Sequence, residues 1–227
     1  MEYLKIASFT LPPLIAVLIY MYLRYKFKQF SYSLLFKSFI WGMVSILLVL
    51  AVQLFASYFE LDKLNNIRRV IFYALVIMAF FSELSKFIFL RGFVYPKEVF
   101  KTPVDGIIFS VMISMGFATM NNILYFINIP DLTVNIPNAL TAGPANAIFG
   151  VIMGFFIGLG KLRKMKLVDT MTGLAAAVFF HGLYDFCLLT KDYKLLMAFF
   201  VGATIIAVSL CIAALRIHQD AKAEEQF

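Results

Sequence analysis

Residues 103–126 read PVDGIIFSVMISMGFATMNNILYF, an apolar stretch that carries two adjacent amides, Asn121 and Asn122, deep inside it. On a helix of 3.6 residues per turn, side chains at steps of three or four share one face. The small and polar residues at such steps are Ser110, Ser114, Ala118 and Asn121. Because a lipid environment offers amides no water to bond with, we expect this face to meet other helices. The other apolar segments should then bring small or polar residues of their own to it.

The composition is typical of an integral membrane protein. Hydrophobic residues make up 62% of the 227 residues, charged residues make up 15%, and the mean hydropathy is +0.88. The apolar runs are about twenty residues long, which suits helices that cross a bilayer core of about 30 Å better than the strands of a barrel. The sequence therefore predicts an all-α, polytopic transmembrane helical bundle that forms a single integral-membrane domain over residues 1–227, with the lipid bilayer around it.

About seven spans are predicted from the apolar segments. Their ranges are 3–23, 39–59, 70–90, 103–126, 139–160, 168–189 and 195–215. Between the fourth and the fifth, the polar stretch 129–138 contains two prolines and is predicted to be a loop. The segments with polar motifs form a core of about residues 70–190.

The basic residues indicate an orientation in the membrane. Thirteen Lys and Arg residues fall on one side of the predicted spans, six fall on the other, and Lys86 lies within a span, which accounts for all 20. Cytoplasmic loops carry the excess of Lys and Arg, so the amino terminus is expected outside and the carboxy terminus in the cytoplasm. Although the net charge is +7, the cations sit in short clusters between apolar segments, and no nucleic-acid partner is expected.

Ionisable and amide side chains lie well inside four of the predicted spans. They are Glu83 and Lys86, Asn121 and Asn122, Asn146, and His181 and Asp185. One ionised side chain at mid-membrane costs about 2.5 to 3.5 kcal/mol on insertion scales, so their presence requires a reason. One reading is structural, with ion pairs at i,i+3 and i,i+4 and amides that join helices. The other is a wet catalytic pocket, in which a carboxylate activates water while an imidazole and amides polarise a carbonyl.

Two helical faces of small residues predict close packing. The fifth span carries Ala142, Asn146, Gly150, Gly154 and Gly158 at steps of four. The sixth span places Gly173, Ala177, His181 and Asp185 in the same way. Such faces let neighbouring backbones approach closely. The spacing of the potential metal ligands matches no recognisable zinc motif, so metal binding stays open.

Four motifs in order carry a family resemblance. They are Ser82-Glu83-Leu84-Ser85-Lys86, residues 103–108 (PVDGII), residues 116–125 (GFATMNNILY) and residues 181–185 (HGLYD). Together they resemble the PrsW family of intramembrane proteases, distant relatives of the CAAX prenyl endopeptidases, over the third to the sixth span. The resemblance implies a prokaryotic membrane protease in which Glu83 activates water while His181 and Asn122 polarise the carbonyl of a substrate. Lys86 and Asp185 would support them, and the substrate would be a single-span membrane protein or regulator.

Three positions depart from the family pattern. Ser82 and Asn121 stand where the pattern has glutamates, and Asn146 stands where it has a histidine. An amide bonds to hydrogen donors and acceptors but cannot take a proton from water. The expected function is therefore a PrsW-like protein with weakened or lost peptidase activity. The alternative is a pseudoprotease that binds or scaffolds a membrane partner without cleavage, and a transporter is a more distant third class.

Overall fold

The computed structural model describes residues 10–19, 21, 32–128 and 136–224, and within these ranges every regular element is helical. Seven helices are described. They are α1 (Thr10–Ile19), α2 (Tyr32–Tyr58), α3 (Ile67–Val94), α4 (Pro103–Asn128), α5 (Ile136–Leu162), α6 (Lys166–Thr190) and α7 (Tyr193–Glu224). Helices α2 to α7 are long and apolar enough to cross a membrane, whereas α1 is shorter. The prediction of an all-α polytopic bundle is confirmed.

The predicted and observed helix boundaries differ at several ends. The first predicted span, 3–23, lies partly outside the described residues, and its described part is α1. Helix α2 begins at Tyr32 rather than near residue 39. Helix α5 begins at Ile136, so the end of the predicted loop belongs to a helix. Its second residue is Pro137, and proline is tolerated in the first turn because the amide hydrogen it lacks has no helical partner there.

Helix α3 is not a uniform α-helix. Its segments Tyr73–Phe80 and Leu90–Val94 are π-helical and flank an α-helical segment, Phe81–Phe89. A π-helical stretch shifts the phase of the residues that follow it, and such stretches are frequent at functional sites. In the first stretch, Leu75 packs so closely against Gly182 of α6 that a side chain at residue 182 would overlap it. The local change of helix type therefore accompanies a close α3–α6 contact.

Helices α4 and α5 form the centre of the bundle. In the apolar part of α5, 78% of the residues are buried, against 22% in α7. Backbone meets backbone along the predicted small-residue face: a Cβ atom at Gly154 would overlap the carbonyl of Gly106, and one at Gly158 would lie 2.5 Å from Pro103 Cα. Gly150 packs in the same way against Ser114 and Val111. The predicted close-packing role of this face is confirmed.

Helix α5 packs antiparallel on α4, with Gly158 against Pro103 and Gly154 against Gly106. Since short connections join the other successive helices as well, we assign the helix ends to two faces of the bundle. Face A carries connections 59–66 and 191–192 together with the end of α4 and the start of α5, and face B carries connections 95–102 and 163–165. At face B, Asp105 Oδ2 accepts hydrogen bonds from the backbone amides of Lys101 and Thr102 and from the Thr102 hydroxyl. His218 Nδ1 lies 3.1 Å from that hydroxyl oxygen, which ties the end of α7 to the start of α4.

Candidate functional site

The α-helical segment of α3 holds a buried ion pair. Lys86 Nζ donates to Glu83 Oε1 at 2.6 Å, and the two side chains are 2% and 0% exposed. Their i,i+3 spacing predicts this pairing, which the structure confirms. The rings of Phe117 and Phe149 also surround the ammonium, with centroids 4.9 and 5.9 Å from Nζ. Isolated charges would be strongly unfavourable in such surroundings, so the two groups depend on each other.

His181 of α6 joins this pair from across the bundle. Its Nδ1 lies 2.6 Å from Glu83 Oε1, the oxygen that also accepts from Lys86. Its Nε2 lies 3.4 Å from Asp185 Oδ2, one turn further along the same helix, without hydrogen-bond geometry. The imidazole stacks on the Phe149 ring, with centroids 4.7 Å apart and planes at 17°. The stacking and the Glu83 contact together fix the orientation of the ring.

Asn146 of α5 completes a polar network between three helices. Its Oδ1 accepts from Lys86 Nζ at 3.0 Å, and its Nδ2 donates to the Ala142 carbonyl at 2.9 Å. Among the described residues, two carboxylate oxygens at this centre have no hydrogen-bond partner: Glu83 Oε2 and Asp185 Oδ2. Buried polar groups usually have partners, and those that lack them are found at strained or functional positions. The network is therefore not fully satisfied by its own members.

A cavity of about 310 Å³ adjoins the network. Five of the sequence-predicted site residues line it: Ser82, Asn121, Asn146, His181 and Asp185. Of the residues that the structure describes, three other predicted members are buried and do not line the cavity: Glu83, Lys86 and Asn122. Asn122 is buried and has contacts of its own, whereas Asn121 is partly exposed to the cavity. The expected role for Asn122 at the carbonyl of a substrate therefore has no support from its position.

Several residues of the cavity wall are not among the predicted site residues. The Tyr184 hydroxyl lies 2.9 Å from Thr141 Oγ1 and donates to Asn138 Oδ1 at 3.2 Å. Tyr184 lies within the HGLYD motif, one turn after His181, and this position is the signal that the sequence offers for it. Helix α2, which carries none of the family motifs, supplies an opposite wall that is mostly apolar. Its members are Ile46, Val49, Leu50 and Gln53.

The potential metal ligands do not converge on one point. In the described part of the chain, no group of three or more His, Cys, Asp or Glu side chains is placed to hold a metal ion. Glu83 and Asp185 lie at opposite nitrogens of the same imidazole. A metal ion bound by one imidazole nitrogen could thus be reached by only one of these two carboxylates.

Comparison with curated proteins finds relatives along most of the chain. "Protease PrsW" of Shouchella clausii (strain KSM-K16) is 31% identical over 83% of this chain and 85% of its own length. "Protease PrsW" of Geobacillus kaustophilus (strain HTA426) is 30% identical over 92% of this chain and 89% of its own length. "Protease PrsW" of Bacillus subtilis (strain 168) is 31% identical over 81% and 82%, respectively. No solved structure matches the chain significantly.

A family model described as "PrsW family intramembrane metalloprotease" matches residues 31–214. That description implies a metal ion, but the side chains of this site do not fit one. The two carboxylates lie at different nitrogens of a single imidazole, and the other polar groups of the cavity wall are amides and hydroxyls. The matched range contains helices α2 to α6 and all of α7 except its last residues. It therefore includes every residue of the polar network. The chain is an integral membrane protein and belongs to the PrsW family of intramembrane proteases.

Proposed function

We propose that this chain binds a segment of a membrane protein in the cavity beside the polar network, and that its peptidase activity is weakened or lost. The partner would be a single-span substrate or regulator. One observation carries the proposal: Glu83, the carboxylate expected to activate water, is 0% exposed and does not line the cavity, and its Oε1 is held by both Lys86 and His181.

The position of Glu83 bears on catalysis because a general base must lie within about 2.6 to 3.2 Å of the proton that it takes. A water molecule in the cavity would instead meet the amides of Asn121 and Asn146 and the side chains of His181 and Asp185. Neither amide can accept its proton. General acid–base catalysis contributes roughly 10²- to 10⁴-fold, so unless His181 and Asp185 take over the role of Glu83, turnover would fall close to the limit of detection while binding persists. By resemblance alone, the family pattern would have acidic or imidazole side chains at positions 82, 121 and 146.

The chemistry of the cavity wall supports binding of an unwound peptide segment. One side presents the amides of Asn121 and Asn146 and the hydroxyl of Tyr184, and the α2 side is mostly apolar. A peptide bond that leaves a helix within the membrane needs donors and acceptors to replace its helical hydrogen bonds. Asparagine side chains supply both, while the apolar wall would contact the side chains of the bound segment.

Two outcomes of such binding remain as candidate functions. The first is a pseudoprotease that holds or scaffolds its partner without cleavage. The second is residual proteolysis, which one specific observation favours: His181 and Asp185 both line the cavity, with Nε2 and Oδ2 only 3.4 Å apart. In that case Asp185, rather than Glu83, would be the carboxylate that meets water. The whole chain would act as one integral-membrane unit, with its amino terminus outside and its carboxy terminus in the cytoplasm.

A binding and cleavage assay on the same samples tests the proposal. The purified chain is reconstituted in liposomes with a panel of fluorescent single-span peptides; binding is measured by cross-linking and cleavage by mass spectrometry. The Bacillus subtilis relative, assayed in parallel, is the positive control for cleavage. We expect cross-linking without detectable cleavage, and weaker cross-linking in Asn121→Leu. Ser209→Leu is the matched control, because Ser209 is exposed and, among the described residues, its hydroxyl donates within its own helix, to the Ile205 carbonyl.

The outcomes separate the candidates. Efficient cleavage by the unaltered chain would overturn the proposal. Slow cleavage that is lost in Asp185→Asn while cross-linking persists would identify residual proteolysis. Cleavage that appears only in the triple variant Ser82→Glu, Asn121→Glu and Asn146→His would identify a pseudoprotease.

A further inference from the structure

The charged groups at the centre of the bundle are arranged around one imidazole. Glu83 Oε1 lies 2.6 Å from His181 Nδ1, and Asp185 Oδ2 lies 3.4 Å from His181 Nε2. An imidazole binds a metal ion through one nitrogen lone pair, which points outward in the plane of the ring. The two nitrogens point in different directions. A metal ion at Nδ1 would therefore be out of reach of Asp185, and one at Nε2 would be out of reach of Glu83.

The Nδ1 side is closed by a cation of the chain itself. Lys86 Nζ lies 2.6 Å from Glu83 Oε1, and this oxygen also contacts Nδ1. The ammonium is further held by Asn146 Oδ1 at 3.0 Å and is buried between aromatic rings. A divalent ion at the same carboxylate would repel the ammonium at close range in surroundings of low dielectric constant. The lysine thus holds the position that a metal ion would need.

The Nε2 side offers only half of a metal site. It combines one imidazole nitrogen with one carboxylate oxygen, and Asp185 Oδ2 has no hydrogen-bond partner among the described residues. The remaining polar side chains of the wall, including Asn121 and Asn146, are neutral. Zinc sites in enzymes use three protein ligands drawn from His, Cys, Asp and Glu, and structural sites use four. Two such ligands with neutral amides nearby should bind divalent metals weakly.

We infer that the polar centre of this chain works without a tightly bound divalent metal ion, that Lys86 is its resident cation, and that His181 Nε2 and Asp185 Oδ2 form a two-ligand half-site. The inference rests on the proposed function only in that both concern the same cavity. One additional imidazole or carboxylate on the cavity wall should complete the half-site. Positions 146 and 121 are the natural places, because both asparagines face the cavity that His181 and Asp185 line.

Metal content and thermal stability test the inference without any peptide. The unaltered chain is purified in detergent without chelators, and its zinc, cobalt, manganese and iron are quantified by mass spectrometry. We expect well below one metal ion per chain, on the order of a tenth or less, and a Tm that does not change when EDTA is added. The variants Asn146→His and Asn121→Glu should each take up about one zinc ion, which raises Tm in a concentration-dependent way. Adding His181→Gln to either variant is the matched control and should abolish both effects.

Three results would contradict the inference. About one tightly held metal ion in the unaltered chain, lost in Asp185→Asn, would overturn the claim that the centre works without one. Failure of both asparagine variants to bind zinc while they remain folded would overturn the assignment of His181 and Asp185 as a half-site. Zinc binding that persists after His181→Gln would overturn it as well. Since no peptide is present, each of these results is distinct from failure of the binding proposal.

Discussion

At the scale of single residues, two Glu–Lys ion pairs of the described residues have the same spacing and opposite surroundings. Glu60 and Lys63 lie 2.7 Å apart on face A, with side chains 65% and 55% exposed. Glu83 and Lys86 lie 2.6 Å apart with almost no exposure. Water screens the first pair, so it should contribute little. The second pair cannot be broken without leaving a charge inside the bundle. Geometry alone does not distinguish them; burial does.

This contrast predicts strong coupling within the buried pair. Replacing Glu83 by Gln should leave Lys86 uncompensated and destabilise the fold by roughly 3 to 5 kcal/mol, and Lys86→Met should act similarly on Glu83. The double variant should be less destabilised than the sum of the two single losses in free energy of unfolding. It leaves neither an unpaired carboxylate nor an unpaired ammonium beside His181 and Asn146. Unfolding in mixed micelles measures all four states of the cycle.

The exposed pair supplies the control for this cycle. Lys63→Met removes a lysine of the same i,i+3 geometry from the surface and should change the free energy of unfolding by less than about 1 kcal/mol. Strictly additive effects of Glu83→Gln and Lys86→Met would show that the two side chains do not stabilise each other.

At the scale of helices, two glycines in α5 and α7 have contrasting environments. Gly154 of α5 lies against the Gly106 and Ile107 backbone, so even a methyl group would be within 2.6 Å of a carbonyl carbon. Around Gly202 of α7, no atom of the described residues beyond its own stretch of helix lies within 4 Å of the position that a Cβ would take. The first glycine allows helices α4 and α5 to touch. The second contributes nothing to packing within the described chain.

The same substitution should therefore have opposite effects at the two positions. Gly154→Ala should push α4 and α5 apart and destabilise the fold by roughly 1 to 3 kcal/mol, and Gly154→Leu should prevent accumulation in membranes. Gly202→Ala should be neutral or stabilising by up to about 1 kcal/mol, because alanine is the better helix former. Thermal melting of the purified variants compares them. An equal loss at both positions would mean that helix propensity, and not the α4–α5 contact, explains the effect.

The helices and their polar faces could be predicted from the sequence because they depend on local periodicity. The pairing of Glu83 with Lys86 and the small-residue face around Gly154 follow from spacing alone. Whether Asn121 or Asn122 faces the cavity does not, since adjacent residues point about 100° apart and the choice depends on how the whole helix is rotated. The contact between Glu83 and His181 joins residues 98 positions apart, and the π-helical stretch 73–80 shifts the phase just before Glu83. No local pattern encodes either feature.

At the scale of the whole molecule, the cavity is displaced toward face A. Its lining includes Gln53 near the end of α2, Leu124 near the end of α4, Asn138 near the start of α5 and Leu189 at the end of α6. All of these helix ends belong to face A. The bias of Lys and Arg toward face B predicts that face B is cytoplasmic. A ligand of the cavity would then be recognised in the outer half of the membrane.

This orientation can be tested with two single cysteines that leave the charge bias unchanged. Asn65→Cys is placed in connection 59–66 on face A, and Met165→Cys is placed in connection 163–165 on face B; both native side chains are exposed and uncharged. Cys211 is replaced by alanine in both variants. Cys187 is buried and is kept, and labelling of a chain that has Cys187 alone gives the background. A membrane-impermeant maleimide added to intact cells should label residue 65 at once and residue 165 only after lysis. The reverse pattern would place the cavity toward the cytoplasm, and its ligand would then have to come from that side. Labelling of both positions in intact cells would mean that the chain inserts in two orientations, which a bias of thirteen cations against six should prevent.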